Sequence, residues 1–351
     1  MSTYALMQLS PGVLRQKITA TTGRSKWHLI GVLLLRDTAL LSFAILYIAS
    51  FSYLFGQASG YVGVATFCML LSLRFVGYGY NVQASLGALF GILGLTWLDS
   101  WLLPLLPPLF ALVVNFSSLL LILRLTSDTP ILGNGGVYTF GYVLVTGMPV
   151  TGSAVVNRGW AYLMAFAICG WALWRHHRTK DTDIKLWWVL KIRGWHDKTF
   201  RWQFRLALGV AIALSLGQWL GNGRAMWLGF ACMSILLPQT NLVRGRAMLR
   251  FSGVVVGSLL FTILLQLIPA TGYFLLAPLA GFILGLTPSY FWASVLNCFG
   301  ALSIARVLFG NFPAAALRIF NNGIGILIAV VLAKLLDWLW QNYQQSSNPA
   351  I

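Results

Sequence analysis

From Arg246 to Ile268 the chain reads RAMLRFSGVVVGSLLFTILLQLI, two arginines four residues apart and then a run to Ile268 without a charge. About 20 such residues cross the ~30 Å hydrocarbon core of a bilayer, so the stretch reads as a membrane span held at one surface by its basic end. Runs of the same kind recur at 38–55, 60–73, 82–98, 101–123, 131–147 and 156–174, then at 203–220, 225–238, 248–268, 272–286, 289–309 and 314–338. Several are short, so half-spans or tilted pairs are expected among them, and ten to twelve crossings in all. The fold class expected is an all-α integral membrane protein, a polytopic helical bundle of about twelve spans with no large soluble domain.

The runs fall into two sets that echo each other. Gly63-Val64-Ala65 answers Gly229-Phe230-Ala231, Leu70-Leu71 answers Leu236-Leu237, and Gly87-x-x-x-Gly91 answers Gly253-x-x-x-Gly257, all at one offset of 166 positions. Asn157-Arg158-Gly159 answers Leu317-Arg318-Ile319 at an offset of 160, so a short deletion separates the blocks. Two parallel six-span repeats are therefore expected, related by rotation about an axis near the membrane normal. The glycine pairs are expected to let helix backbones approach.

The boundaries follow from charge. Residues 1–35 read as a basic cytoplasmic or interfacial segment, 36–174 as the first repeat, 175–202 as a basic-aromatic linker, 203–340 as the second repeat and 341–351 as a tail. Within the linker, Ile184 to Arg193 mixes aromatic and basic residues as an interfacial helix does. Basic clusters at 15–36, Arg74, Arg124, 175–205 and 244–250 are separated by even numbers of spans, which places both termini in the cytoplasm of a multi-pass cell-membrane protein. Asp99 reads as marking an outward turn.

Composition excludes whole classes of function. Hydrophobic residues make up 58% of the 351 and charged residues 9%, which no water-soluble globule sustains. The net charge of +17 comes from 24 Lys and Arg against seven acids, every one an Asp. On a membrane protein that excess reports loops beside anionic lipid, not nucleic acid. Cys68, Cys169, Cys232 and Cys298 lie in apolar runs without metal or disulfide spacing, and no His or Glu falls in a span, so no cofactor, metal cage or general base is expected and the chain is not read as an enzyme. Gly133-Asn134-Gly135-Gly136 lacks the Lys-Ser/Thr ending of a phosphate loop and reads as a broken start to the fifth span.

The chemistry rests on basic residues. Arg246 and Arg250 share a helix face, either anchoring a span end or forming the inner mouth of an anion path, and guanidinium groups pair carboxylates in bidentate fashion. Arg306 and Arg318 lie in an apolar stretch whose one acid, Asp337, is far along the last run. An arginine inside a bilayer costs about 3 kcal/mol even on insertion scales, so these two either face a cavity or reach an interface by snorkelling. Arg158, the counterpart of Arg318, fits the same alternatives, and Asn321 and Asn322 are placed to bond a substrate or a neighbouring helix.

The stretch from Trp227 through Pro238-Gln239 to Gly257 resembles the fusaric acid resistance and aromatic acid exporter superfamily, whose relatives include the plant aluminium-activated malate transporters. There a span containing Trp is followed by Pro or Gln and then by R-x-x-x-R-x-x-G-T-x-x-x-G. Trp227, Gln239, Arg246, Arg250, Gly253 and Gly257 hold the matching positions, and Val254 replaces the Thr. The likeness is sharp over 203–260, weaker through Arg318 and Gly323-Ile324-Gly325, and survives in the first half only as the repeat. It implies a transporter or channel for small organic anions, an exporter of aromatic or other carboxylates. Arg318, Arg306, Arg158, Arg250, Arg246, Asn321, Asn322, Trp227 and Gln239 are the expected substrate-binding residues. The partners expected are the organic anion, membrane lipids, a second copy of the chain or, in a Gram-negative envelope, a periplasmic adaptor protein. The alternative is a non-transporting membrane protein whose basic cytoplasmic surface binds anionic lipid or a protein partner.

Overall fold

The computed structural model describes residues 2–191 and 194–347. Among them every regular element is a helix, and six helices are long and apolar enough to cross a bilayer. The protein is an all-α, multi-pass membrane protein. Helices α1 (Thr3–Met7) and α2 (Pro11–Thr19) precede α3 (Gly23–Phe55), α4 (Gly60–Leu73), α5 (Val82–Leu102), α6 (Pro108–Thr126), α7 (Asn134–Thr146) and α8 (Ser153–His177). A connector holding α9 (Leu186–Leu190) leads to α10 (Lys198–Trp219), α11 (Met226–Ile235), α12 (Val243–Leu267), α13 (Tyr273–Leu286), α14 (Tyr290–Phe309) and α15 (Asn311–Ser347). Ile192 and Arg193 of the expected interfacial helix, and 348–351 of the expected tail, lie outside the described residues.

The chain forms two compact units, and each takes helices from both halves of the sequence. The first unit holds the chain up to Leu46 together with Gly245–Phe320. Here the first span departs from expectation. Its helix starts at Gly23 and not at 38, so Arg24, Lys26 and Trp27 ride on the first turns of α3. A helix of 33 residues is about 50 Å long, well beyond the hydrocarbon core, so its basic start extends past the apolar layer. Ser10 caps α2 by accepting from Val13 N, with Pro11 at the first helical position where its missing N–H costs nothing. Leu6, Leu14, Val32 and Leu33 then cluster with Leu286 and fasten α1 and α2 to α3. Gly253 and Gly257 behave as their spacing implies: a Cβ on Gly253 would meet Ser294 Cβ at 2.7 Å, and one on Gly257 the Val295 carbonyl at 2.5 Å. Both glycines let α12 lie directly on α14.

The second unit holds Tyr47–Arg244 and the chain from Asn321 onward. In it α6 packs along α10, α4 along α7 and α8, and α5 along α8. Gly87 and Gly91 do not repeat the close approach of their counterparts. Nothing lies within 4 Å of a Cβ at either, and they floor an apolar groove of about 430 Å³ with Ala84, Ile92, Leu121 and Leu186. Asp99 does not mark a turn either, because α5 continues to Leu102 and the carboxylate is buried. The glycine-rich 133–136 stretch is an ordered helix start. Gly133 takes the left-handed conformation at φ 86°, and the Asn134 amide donates to Gly77 O and Thr126 O while accepting from Ser72 Oγ at 2.7 Å.

Candidate functional site

In the second unit the first turns of α10 carry Lys198, Arg201 and Arg205, spaced three and four residues apart and so on one face of the helix. Asp197 caps this helix by accepting from Thr199 N at 2.8 Å. That basic face meets the broken end of α11. The sequence led us to expect a span over 225–238, but the helix stops at Ile235 after ten residues, about 15 Å or half a bilayer. Beyond Ile235 the backbone must find donors outside its own helix. Trp202 Nε1 donates to Leu236 O at 3.0 Å and Arg205 Nη2 to Leu237 O at 2.7 Å. Irregular backbone within a membrane is tolerated where it borders protein or a cavity, and broken helices form transporter binding sites.

A cavity of about 470 Å³ lies there, walled by Lys198, Arg201, Trp202 and Arg205, the Pro238–Asn241 turn, and Asp337 and Trp340 from α15. The volume suits a small organic molecule. Arg205 is almost wholly buried and pairs with Asp337 at 3.2 Å, while its Nε is buried with no hydrogen-bond partner. The Arg201 guanidinium sits over the Trp340 ring at 5.5 Å. Three cations, one carboxylate and two indoles thus share the lining of this cavity, a net positive set of the kind that attracts an aromatic anion.

The nine expected residues fall in three places. Gln239 alone lines the basic cavity. Arg318, Arg250, Arg306 and Arg246 belong to the first unit, where the sole acidic residue is Asp37. The structure brings two of them together: buried Arg318 donates to the Cys298 thiol of α14, and Arg250 of α12, also buried, acts on the Arg318 charge. Arg246 lies 4.0 Å from the Tyr290 ring centroid and Arg306 4.5 Å from that of Tyr273, so both are held by cation–π contacts. Arg158 of α8 and Asn321 of α15 lie in the second unit, and each bonds to a neighbouring turn. Arg158 donates to the carbonyls of Ala58, Val145 and Met148 at 3.1, 3.4 and 2.8 Å. Asn321 exchanges hydrogen bonds with Asn222 at 2.6 and 3.2 Å and donates to Arg224 O. Asn322 and Trp227 are buried.

The sequence alone places Lys198 and Arg201 in a linker and Arg205 near the start of a span, and marks none of Trp202, Asp337 and Trp340 as a site residue. Their signal was the period of the three cations continuing past 203 into an apolar run. The partner wall from α15 lies more than a hundred residues away and has no local mark.

Residues 211–332 match the family model described as fusaric acid resistance protein-like. The match covers about a third of the chain, and over that stretch the chain is similar to the fusaric acid resistance protein-like family. No curated protein and no solved structure matches it. The matched stretch carries Gln239, the Arg250 and Arg318 pair and the broken end of α11, while the basic turns of α10 lie just ahead of it and Asp337 and Trp340 just after. That family is one of membrane transporters of small organic compounds, and the six long apolar helices agree with a multi-pass membrane protein.

Proposed function

We propose that this transporter exports small aromatic carboxylates, taking them up in the basic cavity of the second unit. The cavity itself carries the reading: Lys198 and Arg201 supply charge, Trp202 and Trp340 supply ring surface, and Gln239 supplies an amide at the rim. By the density of Lys and Arg from 175 to 205 this cavity faces the cytoplasm, with both termini on that side of the inner membrane. Six longer helices before α9 and six after it are taken as two parallel sets of six crossings.

The test is counterflow of radiolabelled 4-hydroxybenzoate and of fusaric acid in liposomes of purified protein. Wild type accumulates label against a preload, and Arg201→Gln raises the concentration for half-maximal rate about tenfold, as loss of a charge-assisted hydrogen bond of about 1.5 kcal/mol requires. Absence of counterflow for both acids, with vesicles shown to hold folded protein, overturns the reading in favour of a lipid- or partner-binding protein.

A further inference from the structure

At the other end of α10, about 20 Å along its axis from Arg205 to Gln218, the second unit holds a smaller cavity of about 220 Å³. Asn115, Thr146, Gln218 and Asn222 line it. Behind Asn115 lies Asp99, 3% exposed, inside the apolar span Val82–Leu105. The Tyr142 hydroxyl is shared between the two: it lies 2.9 Å from Asp99 Oδ2 and 3.1 Å from Asn115 Oδ1. Ser118 also hydrogen-bonds the carboxyl. A carboxyl at such a place, bonded to neutral groups and one side chain removed from a cavity that holds four polar side chains, is built as proton relays are.

We propose that Asp99 is a proton-binding site served by this cavity. The proton adds to a carboxylate oxygen and takes the side chain from charge −1 to neutral. No other bond is made or broken. Tyr142, which donates in part to the ionised Asp99, is then released to donate to Asn115 Oδ1, so the protonation state of Asp99 is written on a side chain that lines the cavity. The groups facing Asp99 can be named element by element. Helix α7 presents Tyr142, and α6 presents Ser118 and Asn115, with Arg124 at its far end. The 103–105 turn presents no titratable group. Helix α8 carries Arg158 and Tyr162, and the Arg158 guanidinium is engaged by the carbonyls of Ala58, Val145 and Met148. A coupled transporter can exchange this proton for the anion at the other end of α10, and only that coupling step rests on the transport reading.

Two measurements on the full chain test the site. Infrared difference spectra of the protein in lipid, titrated from about pH 4 to about pH 9, are expected to show a protonated-carboxyl band that titrates in wild type and Asp99→Glu and is lost in Asp99→Asn. Tyr142→Phe, which leaves the carboxyl in place and removes its donor, displaces the midpoint. In counterflow of 4-hydroxybenzoate, wild type and Asp99→Glu respond to an imposed pH difference and Asp99→Asn does not. Identical spectra for wild type and folded Asp99→Asn overturn the proton site, and an unchanged pH response in Asp99→Asn overturns the coupling. Wild type without counterflow at equal pH counts against the transport reading, while the infrared titration still decides Asp99.

Discussion

The two ends of α10 solve the problem of a charge within a membrane protein in opposite ways. At its start Arg205 is answered by a carboxylate and a freed carbonyl, and two further cations are left facing a cavity between tryptophans. Near its end Asp99 is answered by a phenol and a serine hydroxyl, and the cavity beside it counts the amides of Asn115, Gln218 and Asn222 among a partly apolar lining. An ion pair fixes a charge, whereas neutral donors let it come and go. The first arrangement suits a site that attracts an anion, and the second suits a group that changes charge.

The largest effect that separates the two ends should come from Arg205→Met. Breaking a fully buried pair costs about 3–5 kcal/mol, and because Asp337 is partly exposed the loss here should be nearer about 2 kcal/mol. Thermal unfolding in detergent measures it, and Asp337→Asn in the same background should add little, since the two share one interaction. An additive double mutant would dissolve the pairing. Next in size, Lys198→Gln should raise the half-maximal concentration for 4-hydroxybenzoate counterflow about threefold, less than Arg201→Gln because its side chain is exposed, with no change in unfolding temperature. At the other end Tyr142→Phe removes a hydrogen bond between uncharged donor and carboxyl and should cost about 1 kcal/mol. A loss as large as that of Arg205→Met would erase the contrast between a fixed and a changeable charge.

The smallest effect concerns pH at the basic end. His177, beyond the expected span end at Trp174, is buried over Gly77 with Nε2 2.7 Å from Leu73 O. Burial holds its pKa below the usual 6.5 of histidine. Unfolded chain therefore binds the proton first, so the stabilisation is complete above pH 6.5 and is lost as pH falls below it. Hydrogen exchange over 73–80 should quicken as pH is lowered through that window, after correction for the intrinsic rate, and His177→Asn should flatten the response.

How far the sequence could be read depended on whether a residue acts through its neighbours along the chain. The apolar runs and the basic residues at their ends are local properties of one helix and its period, and they were legible. Asp99 was misread because one acid after an apolar run looks like a turn until Tyr142 and Ser118, from two other helices, bury it. Gly87 and Gly91 carry the same spacing as Gly253 and Gly257, yet only the latter meet a partner, because close approach needs a second helix that the motif does not encode. The short α11 shows the same limit, since its break at Leu236 is stabilised by donors at Trp202 and Arg205. Of the expected site, Arg318 and Arg250 were brought together, Gln239 reached a cavity, and Arg158 and Asn321 were found holding turns.

Arg158 also sets an order of events during synthesis. Its guanidinium rests on the carbonyl of Ala58, one hundred residues earlier, and on two carbonyls of the turn just before it. A lone arginine entering lipid is costly, so α8 gains a stable berth only once the turn after α3 is already in place to receive it. The turn after α3 should therefore be in place before α8 settles, an order that cross-linking of truncated nascent chains between positions 58 and 158 would test.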